Sequence, residues 1–479
     1  MIAYNKLKVR VLSDDQLYRL HLATLEILER TGIQVFDDEA VDLLAKGGAY
    51  VTDGNRVKIP GHLVNEALRR APERVVLCTR DGKRTMALEN DNIYFGTGSD
   101  CPFILDSFTG ERRKMMKADV AKAALLCDSL DNIDFVMSLG LVSDFPTAIS
   151  DRHQIEAMML NTTKPIVFTA HDRQSVADIV NMAVAVAGSL QALQSRPFIA
   201  LYAEPSSPLR HSKTAVQKLL LAAELLIPVV YTPCPMAGAT APATLAGTLV
   251  MSNAELLSGL VITQLKNPGA PFIYGGVLDI LDMSDSIMPY GSPELHLLSA
   301  ALTDLAHFYK LPMFGTAGCS DSKVLDQQAG IESALSTLMA ALSGANLIHD
   351  VGYLESALTG SYEMIVMTNE IIGMVKHIVK GIEISEETVG LDLIDKVGPG
   401  GNFITELHTL QHFRREFWFP QLFDRKNYSR WAAEGKLTLG DKVHKKVREI
   451  LAEYTPKPVG AEAQAKIKEI IKRADKSVA

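Results

Sequence analysis

Cysteine is scarce in this sequence. The five residues, Cys78, Cys101, Cys127, Cys234 and Cys319, are odd in number and nowhere in a C-x-x-C spacing, which excludes a disulfide framework and a zinc knuckle and fits a reducing cytosol. Long apolar runs are missing as well: no stretch reaches the roughly 18 uninterrupted apolar residues that a membrane span requires. The opening segment MIAYNKLKVRVLSDDQ has basic residues but no continuous apolar core, unlike a secretory signal. No long basic run exists. Net charge is -8 and the short cluster Arg112-Arg113-Lys114 reads as a solvated turn, so neither nucleic acid nor a membrane is an expected partner. The expected location is the cytoplasm.

Familiar catalytic signatures are absent too. His408 and His412 are the only close histidine pair at helical spacing, and no H-E-x-x-H accompanies them, so zinc hydrolysis finds no ligand set. A serine hydrolase would carry G-x-S-x-G, but Gly96-Thr97-Gly98-Ser99-Asp100 lacks the closing glycine. The same segment is too short for a P-loop and has no lysine. No G-x-G-x-x-G turn marks a dinucleotide fold.

What is present is a large apolar fraction arranged in a repeat. Of the 479 residues, 47% are hydrophobic and 22% charged, a balance suited to one large buried core. Short apolar runs rich in β-branched or aromatic residues recur at 93–97, 135–143, 165–171, 197–204, 228–234, 271–276, 311–318 and 346–352. Each is followed by a helical pattern, at 118–129, 147–160, 174–191, 211–225, 242–266, 293–309, 326–343 and 362–380. Strand starts fall 30 to 43 residues apart, enough for one strand, one loop and one covering helix. Strands that are apolar throughout belong to a sheet covered on its outside. The prediction is an α/β fold, one parallel (β/α)8 barrel over 91–382. An N-terminal helix and strand extension covers 1–90, and a C-terminal helical cap or interface segment covers 383–479.

In such a barrel, chemistry sits where strands end and loops begin. The strand ends offer Tyr94, Phe95, Asp100, Asp144, His171, Glu204, Tyr274, Ser320, Asp321, His349 and Asp350. Aromatic faces with carboxylates suit a cation that donates no hydrogen bonds, such as a quaternary ammonium. The bland reading of Tyr94, Phe95 and Tyr274 is that they fill barrel layers.

Five segments carry a resemblance. Glu204-Pro205-Ser206-Ser207-Pro208-Leu209, Gly238-Ala239-Thr240-Ala241-Pro242, Gly291-Ser292-Pro293-Glu294, Asp326-Gln327-Gln328-Ala329-Gly330-Ile331-Glu332 and His349-Asp350-Val351-Gly352-Tyr353-Leu354-Glu355 resemble segments of the trimethylamine methyltransferase family, over about residues 10 to 430. That family moves a methyl group from a methylated amine to the Co(I) corrinoid of a separate protein. Its founding members use pyrrolysine, whereas this chain has only the twenty common residue types and so resembles the branch without pyrrolysine. The resemblance implies a quaternary amine substrate, glycine betaine first, with carnitine, γ-butyrobetaine or proline betaine as alternatives. A quaternary-amine binding protein without transfer activity is a further alternative. It implies a corrinoid (cobalamin) on a partner protein, since no D-x-H-x-x-G segment is found here, and no bound metal.

On this reading Tyr94, Phe95, Tyr274 and Tyr353 would form the cation cage, with Glu204 and Glu355 as anionic supports. His349, with backbone N–H groups of the glycine-rich loop Gly96 to Ser99, Gly98 among them, would hold the substrate carboxylate, and Gln328 and Asp321 lie beside motif segments, as site residues or as loop caps. No catalytic residue is assigned, because a quaternary ammonium already carries the charge that activates its methyl groups. The aromatic residues Phe413, Phe417, Trp418, Phe419 and Phe423 form either an interface, which would make the protein a homo-oligomer, or a lid over the barrel.

Overall fold

The structure, a computed structural model, describes residues 7–478. Seven parallel strands form one sheet in the order Tyr94–Thr97, Leu347–Val351, Met313–Thr316, Phe272–Gly275, Val229–Tyr231, Ile199–Ala203 and Ile166–Phe168. In chain order these are strands one, eight, seven, six, five, four and three. The ring is closed by the segment between strands one and three, through parallel bridges Gly96 to Phe135 and Val136 to Ile166. The fold is therefore the expected (β/α)8 barrel. Its second stave is shorter than the sequence suggested, because Leu139 turns the chain at φ 64°. Thr97 Oγ1 also takes ladder contacts there, donating to Met137 O and accepting from Met137 N.

Side chains alternate between the barrel axis and the helical shell, as the pleat requires. Phe135, Met137, Val167, Ala200, Tyr202, Val230, Ile273, Phe314 and Leu347 fill the axis, with Tyr94 packed against them. The floor is supplied by the N-terminal extension. Its antiparallel hairpin, Val75–Cys78 with Thr85–Leu88, buries Val75, Leu77, Met86 and Leu88 in the same cluster.

The helices after the strands begin on side-chain caps that satisfy their first N–H groups: Asp172, Ser212, Ser292, Asp326 and Ser361 each accept from the residue three positions on. Helix Leu245–Lys266 is the one described helix long and apolar enough to cross a membrane, and it is buried beneath Asp14–Glu26, Asp38–Gly47, Gly61–Arg70 and Lys213–Leu225. The last two helices, Leu439–Glu453 and Ala461–Val478, lie along the outside of the helical ring, against Lys117–Ser129 and Tyr362–Lys380 and against Thr147–Asn161 and Arg173–Ala187.

Candidate active site

Three carboxyl groups converge at the carboxyl ends of the strands. Asp100 follows the first strand, Glu204 the fourth, and Asp350 lies within the eighth. Glu204 stands two residues beyond the axis-facing Tyr202, so both point inward, and Tyr202 Oη donates to Glu204 Oε1 at 2.5 Å. Asp100 accepts from Ser99 Oγ at 2.8 Å, and its backbone N–H donates to Tyr353 Oη at 2.7 Å. Asp350 is buried at φ 77°, and its oxygens make no well-formed hydrogen bond among the described residues. Its polar neighbours are His349 Nε2 at 3.2 Å and the Tyr353 hydroxyl.

Burial pushes all three acids up, and repulsion adds to it at Glu204 and Asp350. Glu204 rises to about 7, by desolvation first and then by the charge of Asp100. Asp350 is raised well above its ordinary range by desolvation, with Asp100 and Glu204 adding to it, and Asp100 is raised by desolvation. Yet solvent reaches the side chains of Asp100 and Glu204. The two facts agree if both groups line a cavity: protein surrounds them on every side while water enters from the mouth. Among the described residues, neither has a lysine or arginine within ion-pair distance.

His349 sits one layer below. Its Nδ1 lies 2.8 Å from Gly315 O, so that nitrogen carries the proton. Burial drives the ring down to about 3, leaving it neutral with an Nε2 lone pair facing Asp350. The contact is then attractive only if Asp350 holds a proton, which is the direction its own pKa takes. Both ring nitrogens are committed inside the barrel, and the ring packs on Phe314 at 4.1 Å. The expected donor to a substrate carboxylate is therefore not free.

Other expected site residues are also displaced. Tyr274 faces the helical shell, where its hydroxyl donates to Asn253 Oδ1 at 2.9 Å. Phe95 faces outward as well, with Lys376 Nζ 5.8 Å from its ring centre. Tyr94 points inward but at the floor, accepting from Ala87 N at 3.2 Å. Glu355 is on the rim, tied to Arg112 at 2.7 Å and Thr359 at 2.6 Å. Gln328 is exposed and donates to Glu332, which itself accepts from Ser320 Oγ and the Asp321 amide. Gly98 supplies space: a Cβ there would fall 2.1 Å from Tyr353 Oη and 2.2 Å from Asp350 Oδ1. Only Glu204, Tyr353 and Gly98, with the layer below at His349, adjoin the acid cluster.

Tyr202, Tyr290 and Cys234 had no role in the sequence reading. Tyr290 stacks edge-on to Tyr353 at 6.3 Å, and Cys234 feels the charges of Glu204, Asp100 and Asp350. Parity signals two of them: Tyr202 is two before Glu204, and Cys234 is four beyond the axis residue Val230. Tyr290 comes from a loop and had no such signal.

Asp100 also opens onto a side cleft of about 500 Å³, walled by Phe103 and Phe145 and reached by Lys114 and His171. A larger cleft of about 830 Å³ lies between Arg80 and the last helix, against the floor hairpin and away from these groups.

A closed parallel barrel with a water-reachable acid cluster at its carboxyl end is the architecture of a (β/α)8 enzyme. Comparison with known sequences makes this specific. The chain belongs to the trimethylamine methyltransferase family, whose profile matches residues 2–479, and it is a methyltransferase. It is 36% identical to the trimethylamine methyltransferase of Desulfitobacterium hafniense (strain DSM 10664 / DCB-2), over 97% of this chain and 93% of that one. It is 34% identical to the glycine betaine methyltransferase of Desulfitobacterium hafniense (strain Y51), over 98% of both. The crystal structure of the Methanosarcina barkeri monomethylamine methyltransferase superposes with a TM-score of 0.53 at 13% identity, covering 99% of this chain and 90% of that one. That last likeness is one of fold.

Proposed function

We propose that the protein transfers a methyl group from a small quaternary amine, glycine betaine first among them, to the Co(I) corrinoid of a separate protein. One observation carries the substrate class: Asp100, Glu204 and Asp350 meet at the carboxyl end of the barrel with no ion pair to a lysine or arginine among the described residues, the charge of Lys218 acting on Glu204 from beyond ion-pair distance. A substrate with a fixed positive charge completes that site, and the rings of Tyr202, Tyr290 and Tyr353 suit its methyl groups. The relative named glycine betaine methyltransferase supports the same class, as does a sequence built only from common residues.

The chemistry needs little from the protein beyond placement. The corrinoid, as co-substrate, supplies the nucleophile. The C–N electron pair stays on nitrogen, and dimethylglycine leaves neutral at that atom. The acids hold the cation and the ring faces exclude water, which orients one methyl group toward the mouth. Direct ion pairing that is too strong would stabilise the charged ground state. The solvent-reached Glu204, with a pKa near the working range, gives a moderate attraction instead. With His349 committed, Lys114 and His171 at the cleft beside Asp100 become the donors to the betaine carboxylate.

The test is methyl transfer from glycine betaine, carnitine, γ-butyrobetaine, proline betaine and trimethylamine to a Co(I) corrinoid protein, followed by absorbance. Transfer from at least one quaternary amine and none from trimethylamine is expected. Transfer from trimethylamine alone would overturn the proposal.

A further inference from the structure

Asp321 joins two of the loops that carry aromatic rings to the acid cluster. It lies in the loop after strand Met313–Thr316, between the loops of the two neighbouring strands, Phe272–Gly275 and Leu347–Val351. On one side its Oδ1 accepts from Tyr290 N at 2.7 Å and its Oδ2 from Gly291 N at 2.8 Å. On the other, Oδ1 accepts from Ser356 Oγ at 2.7 Å, in the turn just after Tyr353. The carboxylate is itself held from behind: the Asp321 amide and Ser320 Oγ both donate to Glu332 Oε2, at 2.9 and 2.6 Å, on helix Gln327–Ser343.

Both segments need such a hold. Tyr290 comes near the end of the loop 276–292, in which 283–287 are all exposed, so packing alone does little to fix its backbone. The turn after Tyr353 runs through Glu355, Ser356 and Ala357 at φ 54°, 51° and 66°. Three successive side-chain-bearing residues in the left-handed region are unfavourable, and such backbone persists only where its surroundings over-determine it. Here the loop of Asp321 does so: Ser320 N donates to Tyr353 O at 3.0 Å, Glu355 N to Ser322 O at 2.8 Å and Ser356 N to Ser320 O at 3.3 Å.

What the two segments carry is a pair of rings. Tyr290 and Tyr353 meet edge-on, at 61° with centres 6.3 Å apart. Burial raises both hydroxyls, and the charges of Asp100 and Asp350 add to it, so both rings border the acid cluster. An aromatic ring attracts a cation at its face and repels it at its edge, so that attraction depends on the angle of each ring. Contact with a neutral alkyl group depends on buried area instead. A side chain that fixes both ring angles therefore fixes the preference for charge over shape.

We infer that Asp321 is a positioning residue, which holds the Tyr290 and Tyr353 rings at the angles that select a fixed positive charge. The inference rests on the quaternary-amine reading. Calorimetry on the full chain tests it with glycine betaine against 3,3-dimethylbutanoate and γ-butyrobetaine against 5,5-dimethylhexanoate, pairs in which carbon replaces the nitrogen. The unsubstituted protein is expected to prefer the betaine in at least one pair. No preference in either would end the quaternary-amine reading, and the inference with it, before any variant is made. Asp321→Asn is expected to reduce the preference about tenfold while binding of the neutral isostere changes little. Asp321→Glu should do the same, because its carboxylate keeps the charge but is displaced by a methylene group. Retained preference in both variants, an equal loss for both ligands, or a loss in Asp321→Asn alone would each overturn the inference, the last by assigning a direct effect of charge. Ser356→Gly decides the matter if the Asp321 variants do not fold, since glycine takes φ 51° freely and only one of the three bonds to the carboxylate is lost. Its preference is expected to fall about threefold, and an unchanged preference would overturn the inference as well.

Discussion

Replacing Glu204 by glutamine keeps an oxygen for the Tyr202 hydroxyl and removes one charge from the cavity. A quaternary nitrogen about 5 Å from the carboxylate gains about 1 to 3 kcal/mol, for an effective dielectric between roughly 80 and 20. Solvent reaches Glu204, so the lower half of that range applies, and KM should rise about tenfold in the variant. The pH profile is the sharper reading. With its pKa pushed up to about 7, Glu204 is ionised in about a tenth of molecules near pH 6 and about nine tenths near pH 8. Cation binding favours the ionised form by about tenfold, so the KM of the unsubstituted protein should fall about fivefold across that interval. In Glu204→Gln most of this dependence should vanish. Stability runs the other way: an acid whose folded pKa lies above its ordinary 4.5 loses stability as pH rises from about 4.5 to about 7. Steady-state transfer at saturating corrinoid protein, with unliganded Tm over the same pH series, separates the two. A variant profile that superimposes on the unsubstituted one would refute the assignment of Glu204 to the cation.

Two substitutions test the placement of side chains. Tyr274→Phe leaves Asn253 Oδ1 without its donor in the helical shell; denaturant unfolding should show a loss of about 1 to 3 kcal/mol with KM unchanged, and a raised KM at unaltered stability would place Tyr274 in the site after all. Gly98→Ala puts a methyl group 2.1 Å from Tyr353 Oη and 2.2 Å from Asp350 Oδ1, so the acid cluster must shift, at about 1 to 3 kcal/mol. Lower Tm and impaired transfer are expected, and normal values of both would mean the packing there is loose.

The sequence alone determined the repeat, the order of its units and the end of the barrel that carries the acids. Hydrophobic runs followed by capped helices are local patterns, and helices such as Pro293–Phe308 and Tyr362–Lys380 begin at residues that show their role as caps. Asp100, Glu204 and Asp350 were legible as polar groups at strand ends for the same reason. Which ring faces the cavity was not legible, except at Tyr202, whose parity follows from Glu204 two residues on. A barrel strand is covered on both sides, so Ile273 and Tyr274 are equally apolar and equally buried, and periodicity does not mark the axis side. Only the closed ring decides it, by setting Ile273 against Phe314 on the axis and sending Tyr274 out to Asn253. The role of His349 was hidden likewise, because its partners come from Gly315 on a neighbouring strand and from the strained Asp350 beside it. Hydrogen bonds across strands and the direction of a side chain at positive φ are properties of tertiary packing, to which a single strand of sequence carries no signal.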